Sequence, residues 1–355
     1  MGKINLPAFL KEAAERRASD IYFIVGCPIA LFIDGKVVYV GDRLSDADTE
    51  SIVRDLYRMA SRSGAERVFT SGDDSFSFSL PGIAHLCVSM LRQRSSFGAV
   101  IRMMPFSVPS PSELNIPDEI MELCGIENGL VLVTGLAQSG RTTTLASMLD
   151  RINRTRSGKL IVTLENPVEY VLRHANCIVA QREVYTDTAS YEDALDALRY
   201  QRAHVLMLSD LPTPDVAQRV LNIAQSGVMV LSTFHGSSAS NALQNLLDMF
   251  PEERQTVFRV RLSSALKAIL FQRLVPSVEG TLLPVYELVR MEDELRLLLT
   301  EGDISRLADA IAASKTRSVI PFDRSLAALF RAKRISYDTA IQHAMNKDRI
   351  RRQLY

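Results

Sequence analysis

Gly129-Leu-Val-Leu-Val-Thr-Gly-Leu-Ala-Gln-Ser-Gly-Arg-Thr-Thr143 is the stretch that decides the fold. Its apolar run, Leu130–Thr134, enters Gly135-Leu-Ala-Gln-Ser-Gly140-Arg141-Thr142-Thr143, and helical spacing follows over Thr143–Ile152. Strand, glycine loop and helix in that order match the phosphate-binding pattern G-x-x-x-x-G-K-[ST]. The glycines let backbone N–H groups turn into an anion-sized nest, and the helix N-terminus adds a partial positive charge. Gly135, Gln138, Ser139, Gly140, Arg141, Thr142 and Thr143 are therefore the expected binding residues for ATP, with the Thr142 hydroxyl as the Mg²⁺ ligand. The lysine of the pattern is Arg141 here. The sign of the charge survives, but a compact ammonium has become a wide planar fork. Read without its pattern, the stretch is a glycine-rich strand–helix turn that binds nothing.

Further apolar runs follow at Leu160–Leu164, Val205–Leu208 and Val228–Ser232, with helical patterns between them. Unbroken apolar runs predict strands buried on both faces, and the intervening helices predict right-handed βαβ units and a parallel sheet. Polar residues stand where each run ends. Glu165-Asn-Pro-Val-Glu169 offers two carboxylates that could orient or deprotonate a water, or it is an acidic solvated turn. Ser209-Asp210 closes the third run, and Asp210 either holds the Mg²⁺ shell or caps the helix that starts near Pro212–Asp215. His235 in Ser232-Thr-Phe-His-Gly236 senses a γ-phosphate, hydrogen-bonds the acid at Asp210, or is structural. Ligands of open α/β sheets gather at these carboxyl ends, which makes Glu165, Glu169, Asp210 and His235 the candidate catalytic set.

Residues before 105 read as a small sheet with two helices: helical spacing at Asn5–Ala18 and Asp46–Ala60, the latter with Ser45 or Asp46 as N-cap. Short strands are expected at Ile21–Val25, Ala30–Ile33, Val37–Val40, Ser75–Leu80, Ala84–Leu91 and Gly98–Met103, with a hairpin at Asp34-Gly35. Arg92, Arg94 and Arg102 lie at the end of this region and either reach a neighbour's phosphates as arginine fingers or sit on a solvated strand. Pro105-Phe-Ser-Val-Pro-Ser-Pro-Ser112 is a semi-extended linker candidate. From Asp248 the pattern is mainly helical, apart from strands expected at Leu274–Ser277 and Leu282–Leu288. The tail from Arg331 carries seven basic residues against two acids and reads as a solvated helix pair or a docking surface.

Composition narrows the class. The chain has 355 residues, enough for two domains, and 41 basic against 41 acidic residues leave no excess for nucleic acid. The longest apolar stretch, Gly129–Ala137, is too short to cross a membrane, and the mixed charges of the first 20 residues do not form a secretion signal. Four scattered cysteines form no C-x-x-C pair, which fits a reduced cytoplasmic protein.

Taken in order, these features resemble the type II/IV secretion ATPase superfamily, most of all its type IV pilus retraction motor (PilT-type) branch. Ala18-Ser-Asp20-Ile and Phe32-Ile-Asp-Gly35 resemble the start of its PAS-like domain. Glu165-Asn-Pro-Val-Glu169 resembles its aspartate box, Thr233-Phe-His235 with Ser237-Ser-Ala239 its histidine box, and Gln181-Arg-Glu-Val184, Asp248-Met-Phe-Pro251 and Leu266–Gln272 continue the match. The C-x-x-C insertion common in the secretion branch is absent. The departures fall on the chemistry: Arg141 for lysine, Asn166 for aspartate, Ser209-Asp210 for Gly-Glu, Arg202-Ala203-His204 for Asp-Pro-Asp, and a blurred Glu294–Glu301 segment. The resemblance implies a PAS-like α+β domain over 1–104, a linker over 105–115, a RecA-like P-loop core with a parallel sheet over 116–290 and a helical region over 291–355. It also implies a hexamer or a mixed ring with a paralogue, acting on an inner-membrane platform protein at the inner face of the membrane. Whether ATP is hydrolysed is open: a weak motor and a non-catalytic subunit that modulates a competent one both fit. A P-loop small-molecule kinase is the reading from another class, and the PAS-like region and the absence of an obvious lid speak against it.

Overall fold

A computed structural model describes residues 4–33, 35–62, 66–104 and 106–354. Its contacts divide the chain into two units. One comprises residues up to Val108 together with Glu165–Val171 and Arg182–Thr188, and the other holds the remainder.

The first unit is a six-stranded antiparallel sheet in the order β3-β2-β1-β6-β5-β4. The strands are β1 (Asp20–Phe23), β2 (Ile29–Ile33), β3 (Lys36–Val40), β4 (Asp73–Leu80), β5 (Ala84–Gln93) and β6 (Ser96–Met104). Helices α1 (Leu6–Glu15), α2 (Asp46–Met59) and the single turn α3 (Val68–Ser71) accompany it. The period of α1 and α2 puts Leu6, Leu10, Ile52, Val53, Leu56 and Tyr57 on the core side, against Ile21, Phe23, Phe76, Leu86 and Ile101 of the sheet. Asn5 and Ser45 are the N-caps, so the first helix is shorter than Asn5–Ala18 at both ends. The β2–β3 hairpin pairs Ile33 with Lys36, although Asp34 of its turn lies outside the described residues.

The second unit is built on an eight-stranded sheet ordered β14-β13-β12-β7-β11-β10-β8-β9. Its strands are β7 (Gly129–Gly135), β8 (Leu160–Glu165), β9 (Ile178–Glu183), β10 (Val205–Leu208), β11 (Met229–His235), β12 (Leu266–Pro276), β13 (Leu282–Arg290) and β14 (Val319–Ile320). The five strands β12, β7, β11, β10 and β8 run parallel, in the chain order fifth, first, fourth, third, second. The helices are α4 (Asp118–Met121), α5 (Arg141–Thr155), α6 (Tyr191–Gln201), α7 (Pro214–Gln225), α8 (Ala239–Asp248), α9 (Glu252–Ala265), α10 (Asp293–Glu301), α11 (Ile304–Ala313), α12 (Phe322–Arg331), α13 (Tyr337–His343) and α14 (Lys347–Leu354). β7 and β10 are buried at every position, as unbroken apolar runs require.

Three local expectations are corrected. The strand expected at Leu274–Ser277 begins eight residues earlier, at Leu266, because β12 lies against β7 and is buried along most of its length. β9 has no counterpart in the sequence reading; it is the last strand of the sheet, and its half-polar surface carries no clear period. The linker is not extended to its end, because Ser110 and Glu113 close a turn and Ile116 N–H donates to Pro111 O at 2.8 Å. Pro105 lies outside the described residues. The basic tail forms α13 and α14, and Arg331 and Arg349 donate to the carbonyls of Gln353 and Ala312.

Candidate functional site

The loop between β7 and α5 is shaped by close approach. A Cβ on Gly135 would lie 2.4 Å from Ser139 Oγ and 2.5 Å from Gln272 O, so no side chain fits there. Gln138 (φ +62°) and Gly140 (φ +84°) both turn in the left-handed region, which aims successive N–H groups inward. Gln272, on β12, straps the loop from behind. Its Nε2 donates to Ser139 O at 2.7 Å and its Oε1 accepts from Thr144 Oγ1 at 2.7 Å. The one sequence trace of this strap is the polar pair Gln272-Arg273 inside the otherwise apolar stretch Ala268–Val275.

The start of α5 fits an anion. Helices α6, α7 and α8 are capped by the side chains of Ser190, Thr213 and Ser238. α5 has Gly140 at that position and no side-chain cap; the N–H groups of a helix's first turn are where an anion binds. Ser139 Oγ is buried beside them without a hydrogen-bond partner. Thr142 and Thr143 lie half-buried in the first turn. Beside the loop, a cavity of about 240 Å³ is lined by Leu114, Gly140, Thr143, Leu274, Pro284 and Tyr286. Among the described residues no group of three His, Cys, Asp or Glu side chains forms a preformed metal cage. A Mg²⁺ here would be held by Thr142 together with phosphate oxygens and waters.

Strand register brings Arg141 and His235 together. β11 pairs with β7 so that Phe234 lies opposite Thr134 and His235 opposite Gly135. From the first residue of α5, Arg141 Nη1 donates to Phe234 O at 3.0 Å and stands 3.5 Å from His235 Nδ1. The fork therefore grips the end of the neighbouring strand. Asp210 follows β10, which lies beside β11. Its Oδ1 accepts from the N–H of Leu211 at 2.9 Å, and Thr233 Oγ1 ties the segment by donating to Ser209 O at 2.6 Å. Asp210 does not cap α7; Thr213 does, through Val216 N–H at 3.2 Å, which corrects the capping alternative.

Glu165 and Glu169 belong to the first unit, and Arg141, Asp210 and His235 to the second. Glu165 is 2% exposed, so it is not part of a solvated turn. The segment after it contains the cis Asn166–Pro167 bond and is clamped at Val168. Val168 N–H donates to Glu183 Oε2 at 3.1 Å, and its carbonyl accepts from His85 Nε2 at 2.8 Å. The Val168 carbonyl can only accept, which puts a proton on Nε2, and Ser79 Oγ lies 2.9 Å from Nδ1, where its hydroxyl can donate to the neutral ring. Burial holds the His85 imidazole below its ordinary value. Glu183, itself buried, also accepts from Ser77 N–H and Thr186 Oγ1. Burial first, then the charges of Glu169 and Glu183, pushes the nearby Cys87 thiol up to about 12. His85 as a fixing residue was not legible: its partners Ser79 and Val168 are 6 and 83 residues away.

The three arginines remain at the surface of the first unit. Arg102 pairs with Asp20 at 3.4 Å, Arg92 lies over the Phe97 ring at 5.7 Å, and Arg94 turns the β5–β6 hairpin at φ +45°.

A family model described as "Type II/IV secretion system protein" matches residues 3–282. The chain belongs to that family. Among curated relatives, the "Type IV pilus retractation ATPase PilT" of Pseudomonas aeruginosa is 28% identical over 342 residues, covering 96% of this chain and 98% of that protein. The "Type IV pilus ATPase PilU" of the same organism is 30% identical, covering 96% and 89%. The crystal structure titled as the pilus retraction motor PilT with bound ADP superposes with a TM-score of 0.87 at 31% identity, covering 98% of this chain and 99% of that one. These similarities place the family member in the PilT-type branch, and its α/β fold, with an N-terminal domain and a helical C-terminal region, is the expected one. No helix of the described residues is long and apolar enough to cross a membrane.

Proposed function

We propose that this family member binds ATP–Mg²⁺ in the β7–α5 loop and serves a type IV pilus motor, with hydrolysis impaired. The observation that carries the reading is the uncapped start of α5, with buried, unpartnered Ser139 Oγ beside it and His235 in register next to Gly135. The bound ADP of the similar PilT structure supports it. Gly135, Gln138, Ser139, Gly140 and Thr143 hold phosphates, Arg141 supplies a cation, and Thr142 holds the metal. Glu165, Glu169, Asp210 and His235 are the acid–base and sensing set. Impairment rests on Arg141 and Asp210, whose charged groups are both turned onto backbone.

The working form is a ring, most simply a hexamer of this chain, that acts through an inner-membrane platform protein at the inner face of the membrane. In such a ring Arg92, Arg94 and Arg102 face a neighbour's nucleotide. The second reading is a non-catalytic subunit in a mixed ring with a competent paralogue, favoured by the same two engaged charges. Titration with a fluorescent ATP analogue, phosphate release and light scattering test all three parts. Binding without turnover in a homo-oligomer supports the first reading. Binding without turnover in a monomer that joins a paralogue's ring supports the second. Absence of nucleotide binding with and without Mg²⁺ removes both.

A further inference from the structure

The same sheet carries a second polar cavity at its opposite edge. β7, β8, β10 and β11 end at the site described above; around their first residues lies a cavity of about 280 Å³. Its lining includes Glu127, Arg156, Lys159, Arg202, His204 and Gly227. Three cations meet there against one carboxylate, in a chain whose net charge is zero.

The cations are not neutralised by the fold. Among the described residues none of Arg156, Lys159 and Arg202 makes an ion pair, and Glu127 makes none either. Arg156 is held in place by donating Nη2 to Ile126 O at 2.6 Å and to Cys124 O, which fixes its guanidinium half-buried in the wall. His204 is oriented as well. Its Nδ1 accepts from Leu160 N–H at 3.1 Å, which puts the proton of the neutral ring on Nε2 and makes that nitrogen a donor. Guanidinium, ammonium and imidazole N–H together make a wall dominated by donors. Like charges crowded into one cavity repel one another unless an anion joins them.

We propose that this cavity binds the phosphoryl group of a small phosphate monoester. Two uncompensated positive charges match the −1.5 to −2 that a phosphate monoester carries near neutral pH, and the arginine fork favours bidentate contact with phosphate oxygens. The volume exceeds what a phosphoryl group fills and leaves room for a body the size of a sugar. Because the cavity lies at the strands' amino ends, its ligand does not share space with one at the β7–α5 loop.

The test is phosphorus-31 line broadening and calorimetry with inorganic phosphate and ribose 5-phosphate on the full chain. The comparison set is wild type, Lys159→Gln/Arg202→Gln, Arg141→Ala and Arg154→Gln. The Lys159 and Arg202 side chains make no hydrogen bond among the described residues, so their replacement leaves the fold intact; circular dichroism checks this. Arg154, on α5 outside the cavity and paired with Asp150, controls for simple loss of charge. The expected result is a binding event weakened at least tenfold in the double variant and unchanged in Arg141→Ala and Arg154→Gln. Tighter binding of ribose 5-phosphate than of inorganic phosphate identifies the monoester; the reverse order reduces the site to a free-phosphate site and overturns the monoester assignment. Phosphate binding abolished by Arg141→Ala and untouched by the double variant, equal weakening by Arg154→Gln, or no binding at millimolar phosphate each overturn the proposal. Survival of the cavity-sensitive event in a protein that binds no ATP would sink the nucleotide reading and leave this one standing.

Discussion

Arg141 and Asp210 give the sharpest test of the chemistry. Each carries charge, and each has that charge engaged with backbone: Arg141 Nη1 with Phe234 O at 3.0 Å, Asp210 Oδ1 with Leu211 N–H at 2.9 Å. A hydrogen bond to a charged group contributes about 1.5–3 kcal/mol. Diverting either group to a reacting phosphoryl therefore costs roughly 10- to 150-fold in rate, at a factor of ten per 1.4 kcal/mol. Two independent diversions amount to roughly 10²- to 10⁴-fold. Lysine at 141 places a compact charge on a thin stem, and glutamate at 210 is one methylene longer than the aspartate that accepts from the Leu211 amide. Positioning errors of ~1 Å carry penalties of the same order. Groups that act as one unit are strongly non-additive, so either change alone leaves the other defect limiting. The expected outcome is turnover at least tenfold higher in Arg141→Lys/Asp210→Glu than in wild type, with both single variants close to wild type. Phosphate release by the four proteins at saturating ATP–Mg²⁺ measures it, with nucleotide affinity titrated in parallel. Wild-type turnover near ~1 s⁻¹, an ordinary enzyme rate, would refute the reasoning, because the engaged charges would then be no handicap. A double variant with intact affinity and no gain would refute it as well.

Thr142→Ala weakens nucleotide binding by roughly fivefold or more with Mg²⁺ and leaves it unchanged in EDTA, since only a metal-held phosphate uses the hydroxyl; equal losses in both buffers would mean a damaged loop. Gln272→Ala leaves Ser139 O and Thr144 Oγ1 without their buried partner, at a cost of about 2–4 kcal/mol, and thermal melts fall by roughly 5–10 °C. An unchanged melting temperature would show that the loop needs no strap. Burial holds the His85 imidazole below its ordinary 6.5, so on acidification the unfolded chain takes up this proton first. Its contribution to stability is complete above that value and is lost as pH falls from it toward the folded value. His85→Gln keeps a donor for Val168 O and removes the titration, so urea midpoints between pH 7 and pH 5 fall less than in wild type; parallel profiles would exclude His85 as the source.

The parts of the fold that could be read from sequence are those whose constraints are local. β10 is the apolar run Val205–Leu208 and no more, because a strand buried on both faces tolerates no polar residue within it. Ser45 was legible as a cap because its partner, Asp48 N–H, is three residues away. β12 was misplaced for the opposite reason. It follows α9 with no intervening turn residue, Ala265 ending the helix and Leu266 beginning the strand, and an apolar run there has no period that separates helix from strand. What makes Leu266–Phe271 a strand is its pairing with β7, more than a hundred residues earlier.

The same division runs through the site. The places of Asp210 and His235 at the carboxyl edge of the parallel sheet could be read because a strand end is visible in the sequence. The clamps could not: Glu183 meets Ser77 across 106 residues and Gln272 meets Ser139 across 133. Arg141 falls between the two cases. The sequence shows a departure from the lysine pattern, and on that basis alone the arginine is either a tolerated cation or a sign of decay. The structure supplies a third role, because the guanidinium bonds the carbonyl of Phe234, next to last in β11, and so links the start of α5 to the strand that carries His235. A substitution that only decays leaves its position free to change again. One that holds a strand end does not, and Arg141→Ala then costs stability as well as affinity. Melting Arg141→Ala without nucleotide separates the two, because a merely tolerated cation gives no shift while a strand tie worth about 1.5–3 kcal/mol gives one.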